Sequence, residues 1–356
     1  MNFTTLITDI AQTLSLDITD ATDLSNIKRW INLAYKEVQE AYDWQWRQKW
    51  GVFQTILIYE TGTVTATLSS RTLTGDSTVW TSAMVGRYIR INGQTDVYRI
   101  SAVASGTSLT LDMPYTDTTT AGLSYKIFNL FYSLNPDVST EDDVLLVKSG
   151  TVSRELLAID NKEFSNMISN IEDKRRPRRY CVSGLNRLAY SYSTGTVSGT
   201  INTYTLTGSG TLWLDNVKPG DLITISTATY NVDSVESDTS LTLRQKLTAA
   251  VTAPAAYTAT RDNVLQISID GSPDPIENIR YLYLCKTYDL VTDTDEFDVP
   301  DKYQGLIKYK ALAYGYGALD DGRENAMIQL YGASLQKAKL EVINGGNEPS
   351  CMVWGV

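Results

Sequence analysis

Carboxylates are the side chains of this sequence best placed to do chemistry. Asp293, Asp295, Glu296 and Asp298 alternate as the ligands of a calcium loop would, and Glu141-Asp142-Asp143 and Asp320-Asp321 set acids side by side. The calcium reading fails on spacing, because the required Gly and the terminal Glu are missing, and the segment reads as a polar turn ahead of Pro300. The other two clusters fall in turn-like stretches, and an acid/base pair cannot be asserted from them without geometry. The chain contains no histidine, which removes the usual general base, the commonest transition-metal ligand and the ordinary Ser/His and Cys/His pairs. Cys181, Cys285 and Cys351 are odd in number and far apart, so neither a disulfide framework nor a thiolate metal site is expected. P-loop, GxGxxG, HExxH, GxSxG and EF-hand patterns do not occur. No catalytic, cofactor-binding or metal-binding residue is assigned, and the chain is expected not to be an enzyme.

Two other segments suggest contact with a partner. Lys174, Arg175, Arg176, Arg178 and Arg179 form a dense basic cluster in a chain of formal charge -10, and Pro177 within it predicts a loop or an extended entry to a strand. Guanidinium groups so clustered bind phosphate or carboxylate, so the segment is a candidate contact for DNA or an acidic neighbour; its alternative is a solvated loop balanced by nearby acids. The C-terminal stretch runs from Asn344 through Gly and Pro to the apolar Met352, Trp354 and Val356. Anchors of that kind on a Gly/Asn/Pro tether suit docking to a partner, or folding back on the subunit itself.

These segments are positioned by a duplicated interior. The stretch from Thr63 and the stretch from Thr196 align almost without gaps: Thr74-Gly75 with Thr207-Gly208, Trp80 with Trp213, Gly86 with Gly220, Ile89 and Ile91 with Ile223 and Ile225, and Ser108-Leu109-Thr110-Leu111 with Ser240-Leu241-Thr242-Leu243. Runs of Thr, Val, Ile and Tyr alternate with polar residues and break at Gly, Asp, Asn and Ser, which predicts short antiparallel strands in a small β-barrel or sandwich. Trp80 and Trp213 are read as core plugs rather than exposed sugar platforms. Two copies are too few for a solenoid or propeller, so they are read as insertions.

What they interrupt has helices at both ends. Asp23 or Ser25 can cap a helix whose apolar positions Ile27, Ile31, Ala34, Val38 and Ala41 step by four, three, four and three, and a shorter helix with Phe3, Leu6, Ile10 and Leu14 precedes it. Near the C-terminus, 303–319 and 322–343 read as helices with Leu306, Ala311, Tyr314 and Ala318 on one face and Ala326, Leu330, Ser334, Ala338 and Val342 on the other's. Small residues from Ala311 to Ala318 allow close packing, against the same subunit or a neighbouring one. Strand-like stretches 143–147, 179–182, 265–269 and 280–286, with a short helix over 161–171, predict a β-containing core. The fold class is therefore α+β: a helical bundle from the N- and C-terminal helices plus that core, carrying two duplicated β insertions. The boundaries are 1–60, the N-terminal helical part; 61–127, the first module; 128–190, a core segment; 191–260, the second module; and 261–356, the C-terminal part of the core with its tail.

The order of this framework resembles the head-to-tail connector adaptors of tailed bacteriophages, the head-completion proteins that include the tail-tubular A type. The residues that carry the resemblance are Ile31-Asn32-Leu33-Ala34-Tyr35-Lys36-Glu37-Val38 with Trp44-Gln45-Trp46, the turn Tyr132-Ser133-Leu134-Asn135-Pro136-Asp137, the Phe164 helix leading to Pro177 and Tyr180, and Asp298-Val299-Pro300-Asp301-Lys302-Tyr303 entering Ala311-Leu312-Ala313-Tyr314. The resemblance covers the non-repeated parts. It implies a structural virion protein of the neck, made in the host bacterial cytoplasm and forming a twelve-copy homo-oligomeric ring. Its partners would be the portal protein, to which Met352, Trp354 and Val356 dock, and a downstream tail or nozzle protein. Genomic DNA would pass through as cargo, past an acidic wall that repels phosphate. The alternative is a phage fibre, baseplate or adhesin-like protein whose tandem β modules bind carbohydrate. No membrane partner is expected, since the first residues lack a basic-then-apolar leader and no stretch approaches roughly 20 apolar residues.

Overall fold

A computed structural model describes residues 2–138, 140–150, 154–167, 174–186, 190–261, 263–293 and 295–343. The protein is mixed α+β, with helices at the two ends of the described chain and a β-rich interior of several sheets.

Four helices, Phe3–Leu14, Ala21–Glu40, Gln304–Ala318 and Glu324–Ile343, share one apolar core. Phe3, Leu6, Ile10 and Leu14 of the first and Ile27, Ile31, Ala34 and Val38 of the second are buried, as an amphipathic stripe demands. The second helix starts earlier than its sequence suggests: Asp20, not Asp23 or Ser25, is the cap, its carboxylate accepting from the Thr22 and Asp23 amides at 2.7 and 3.1 Å. Gly315 fits closely within its own chain, because a Cβ there would lie 2.4 Å from Leu14 Cδ1 and 3.3 Å from Trp30. In the last helix the expected face holds only in its second half, where Ala338 is buried and Val342 packs beside it. Tyr331 and Ala338 are buried with Met327, Leu335 and Val342 packed beside them, while Ala326 and Leu330 are exposed. A helix that also carries Ile328, Leu340 and Ile343 spreads apolar residues beyond one stripe, so spacing alone does not select a face.

The helical layer joins the β interior through an aromatic stack and a buried arginine. Trp44 stacks on Trp46 with centroids 4.5 Å apart, and Trp46 on Tyr303 at 5.4 Å. The Arg47 guanidinium donates to the Gln39 and Cys285 carbonyls. Beyond it stand two four-stranded sheets around one core. The first orders Gln48–Gln54, Asn278–Leu284, Val144–Ser149 and Arg154–Glu155; the second orders Leu157–Ala158, Arg179–Asn186, Val264–Ile269 and Tyr132–Ser133. The short helix occupies Asn161–Met167.

Two larger sheets follow one plan. In the seven-stranded sheet the order is Thr120–Leu123, Thr63–Ala66, Thr72–Asp76, Ser108–Leu111, Val97–Ser105, Tyr88–Ile91, Tyr125–Phe128. In the eight-stranded sheet Val251–Ala255, Thr196–Gly199, Thr205–Ser209, Ser240–Leu243, Ala228–Ser237, Leu222–Ile225 and Tyr257–Arg261 take the matching places, and Tyr190–Tyr192 adds one strand. The first and seventh strands of each list are neighbours in the chain, so each sheet rolls round on itself. Side-chain bonds match as well. Trp80 Nε1 donates to Tyr125 Oη and Trp213 Nε1 to Tyr257 Oη, both at 2.9 Å, and these hydroxyls donate to the Thr61 and Thr194 carbonyls at 2.7 and 2.8 Å. Trp80 and Trp213 are both buried.

Candidate functional site

The basic segment lies against the β core. The Asp270 carboxylate accepts from the Arg178 and Arg179 amides at 2.7 and 3.0 Å, and its carbonyl accepts from Arg175 Nε at 2.8 Å. Lys174 pairs with Glu60 at 2.7 Å, Arg176 with Glu277 at 3.1 Å and Arg179 with Glu163 at 3.6 Å. Pairing with acids of the same chain is thus the first use of this cluster. Lys174, Arg175, Arg176 and Arg178 remain exposed, so the face they present is still cationic. The other sequence candidates, Met352, Trp354 and Val356, lie outside the described residues, as does Cys351.

A second charged site was not legible as such in the sequence. Asp137, in the turn after Tyr132–Ser133, is wholly buried and accepts a bond from Tyr283 Oη at 2.8 Å. Arg244, from the loop after Ser240–Leu243, directs its guanidinium at Asp137 (3.7 Å), Asp233 (3.3 Å) and Asp298 (3.3 Å), and covers the Tyr288 ring at 4.8 Å. Lys49 Nζ pairs with Asp233 at 2.6 Å. Burial pushes the Asp137 carboxyl up in spite of Lys49 and Arg244. Asp233 is also penalised by burial, but the same two cations hold it below the usual carboxylate range. A raised carboxyl beside a tyrosine has the makings of an acid catalyst, yet Asp137 is shut off from solvent and cannot meet a substrate. A signal was available: Arg244 and Asp112 follow the matched Leu-Thr-Leu runs, so the charge is reversed at one repeat position.

The carboxylates weighed as a calcium loop belong to the same region and are engaged within the chain. Asp293 pairs with Lys28 at 2.7 Å, Glu296 with Lys246 at 2.9 Å and Asp298 with Arg244. Asp295 accepts from the Val291 and Thr292 amides at 2.8 and 2.9 Å. This segment is a strap that ties the helical layer to the second rolled sheet. Asp321 is held low, at about 2, by Arg323, and Asp143 accepts from the Thr140 amide at 2.8 Å. Among the described residues no group of three or more acids and cysteines gathers as metal ligands, and Cys181 and Cys285 are buried, with no disulfide between them.

The outer face of the last helix is a different kind of surface. Ile328, Leu330, Leu340 and Ile343 are 43, 45, 57 and 63% exposed. Among the described residues no helix is long and apolar enough to cross a membrane.

No family model and no curated protein matches the sequence. Among solved structures the phage phi92 endosialidase is 10% identical over 71% of this chain and 55% of its own, with a TM-score of 0.16. The chain thus spans about half the length of that protein, and a likeness so slight carries neither fold nor function.

Proposed function

We propose that the chain is a structural subunit of a tailed-phage neck: an adaptor that closes into a ring, most naturally of twelve copies, between the portal and the tail. The observation that carries this reading is the helical layer. Helices from the two ends of the described chain share one core, and the last helix leaves Leu340 and Ile343 more than half exposed on its outer side, beside Gln336 and Lys337. A ring built from one repeated interface would cover these exposed apolar side chains.

The rest of the reading rests on the resemblance to the connector adaptors. The frame is 1–60, 128–190 and 261–356, and the modules 61–127 and 191–260 are duplicated insertions in it. The matched strand orders and matched Trp–Tyr bonds support the duplication. Met352, Trp354 and Val356 engage the portal; Lys174, Arg175, Arg176, Arg178 and Arg179 face DNA or a neighbour; and the net charge of -10 keeps passing DNA from adhering. The role is architectural, with no catalysis. The carbohydrate-binding alternative loses its two most direct platforms, because Trp80 and Trp213 are buried.

Cryo-electron microscopy of the purified chain with the portal of the same phage tests this. The expected result is a closed ring coaxial with the portal, lost in the Leu340→Lys, Ile343→Glu double variant while the monomer stays folded. A monomer that ignores the portal and is retained on glycan would overturn it.

A further inference from the structure

The two rolled sheets are fastened to the frame in different ways. The first is fastened by apolar contact: Tyr88 and Val97 of its sheet, and Phe128 at the end of its strand Tyr125–Phe128, pack with Leu130, Phe131, Ile159, Phe164 and Cys181 of the frame. The second has no such shared cluster among the described residues, its buried apolar core being drawn from 197–259 alone. What crosses its seam is charge. Arg244 reaches acids from three places, Asp137 of the core turn, Asp298 of the strap and Asp233 of its own sheet. Lys49 of the core strand Gln48–Gln54 answers Asp233, and Lys246 answers Glu296 of the strap. Beside them Gly220 packs backbone to backbone on the turn, where a Cβ would lie 2.3 Å from the Asp137 nitrogen.

We propose that the second module is a releasable arm, held on the frame by an ion lock centred on Arg244, while the first module is fixed. The physical reason is an asymmetry in what separation exposes. Parting the first seat puts Phe128 and Phe164 into water, an unfavourable step in proportion to the area uncovered. Parting the second returns Arg244, Lys49, Asp233 and Asp298 to water, which solvates ions well, so closed and open states of a buried ion pair lie close in free energy. The lock also has an exposed side: the Asp298 and Glu296 side chains are 65 and 61% exposed, so added salt weakens it from outside. Tyr283, Cys285 and Tyr288 line the rest of the site; the Cys285 thiol also faces Arg244, and burial pushes it up. The inference rests on the seam alone and stands whether or not the chain forms a neck ring.

Distances between spin labels in the full chain test it. One pair joins Thr227 of the second module to Lys162 of the frame, and the other joins Asn92 of the first module to Lys162, all three being exposed, with Cys351→Ser to remove a competing thiol. In Arg244→Leu the Thr227–Lys162 distribution is expected to broaden at least twofold while the Asn92–Lys162 distribution keeps its width. Should Arg244→Leu fail to fold, Glu296→Gln with Asp298→Asn touches only the exposed side, and that variant, or about 1 M salt on the unaltered chain, is expected to broaden the same pair. Narrow distributions for both pairs throughout, or equal broadening of both, would overturn the proposal.

Discussion

The two larger sheets have matching interiors and different roots. Inside, each buries one tryptophan bonded to one tyrosine, and each turns at a left-handed glycine, Gly86 at φ +86° and Gly220 at φ +92°. At the root the correspondence ends. The Arg87 amide bonds to the Met84 carbonyl as the Asp221 amide does to that of Lys218, which makes Arg87 and Asp221 counterparts, and Met84 and Lys218 likewise. Asp221 is buried in a two-pronged pair with Arg261, at 2.7 Å to each oxygen. Tyr88 and Phe128, by contrast, stack at 6.4 Å in the apolar seat of the first module. One strand plan therefore tolerates either kind of attachment, because the residues that fill the interior and the residues that attach it are different ones.

The largest effect that would break this comparison comes from emptying the apolar seat. Phe128 is completely buried, and Phe128→Ala should destabilise the first module by about 3–5 kcal/mol. The loss should not change with salt, since the contact is made by apolar surface. Chemical denaturation of the variant at low and high salt would show this, and a strongly salt-dependent loss would mean that charges hold the first root too.

The paired glycines sharpen the contrast at smaller cost. Gly86→Ala puts a side chain at positive φ, worth about 1–2 kcal/mol, into space whose nearest atom is Arg99 Nη2 at 3.7 Å. Gly220→Ala carries the same backbone cost and in addition drives a Cβ against the Asp137 backbone, so it should cost about 1–3 kcal/mol more. Thermal unfolding of the two single variants gives the difference directly. Equal losses would mean that Gly220 does not press on the frame.

The sequence disclosed more of the interiors than of the seams, for a physical reason. Alternation in Tyr88-Ile89-Arg90-Ile91 and the matched Trp80 and Trp213 report which side chains a strand buries, a property of neighbours along the chain. The stripe Ile27, Ile31, Ala34 and Val38 is equally local. Arg244 meets Asp137 and Asp298 across 107 and 54 positions of sequence, and nothing in the local pattern of any of the three points to the others. The outer face of the last helix failed to be read for the opposite reason: with Ile328, Leu330, Leu340 and Ile343 added to Tyr331 and Ala338, too many apolar residues compete for one stripe. For Lys174 to Arg179 the pattern announced charge but not its partners, Glu60, Glu163 and Glu277, which come from distant segments.

The smallest of the expected effects is also the most selective for the second root. Burial and the nearby Arg261 lower the Lys218 ammonium from its ordinary 10.5 to about 8, against the opposing pull of Asp221. A lysine depressed in this way holds fewer protons folded than unfolded between those two values, so folding grows more favourable as pH rises through them and Lys218 is a cost at neutrality. Lys218→Met installs the residue that the first module carries at the matching position, Met84, which is buried there. The substitution should stabilise the second module at pH 7 by about 1–2 kcal/mol, the full value of the shift being reduced because Lys218 is partly exposed. That gain should shrink between pH 8 and 10 as the unaltered lysine loses its proton. Hydrogen exchange of amides in Leu222–Ile225 and Ala228–Ser237 at pH 7 and at pH 9.5, roughly midway through the window, measures it. A gain that stays constant with pH would show that Lys218 is charged and well solvated at the root, and that charge burial there is confined to Asp221, Arg261 and the Arg244 site.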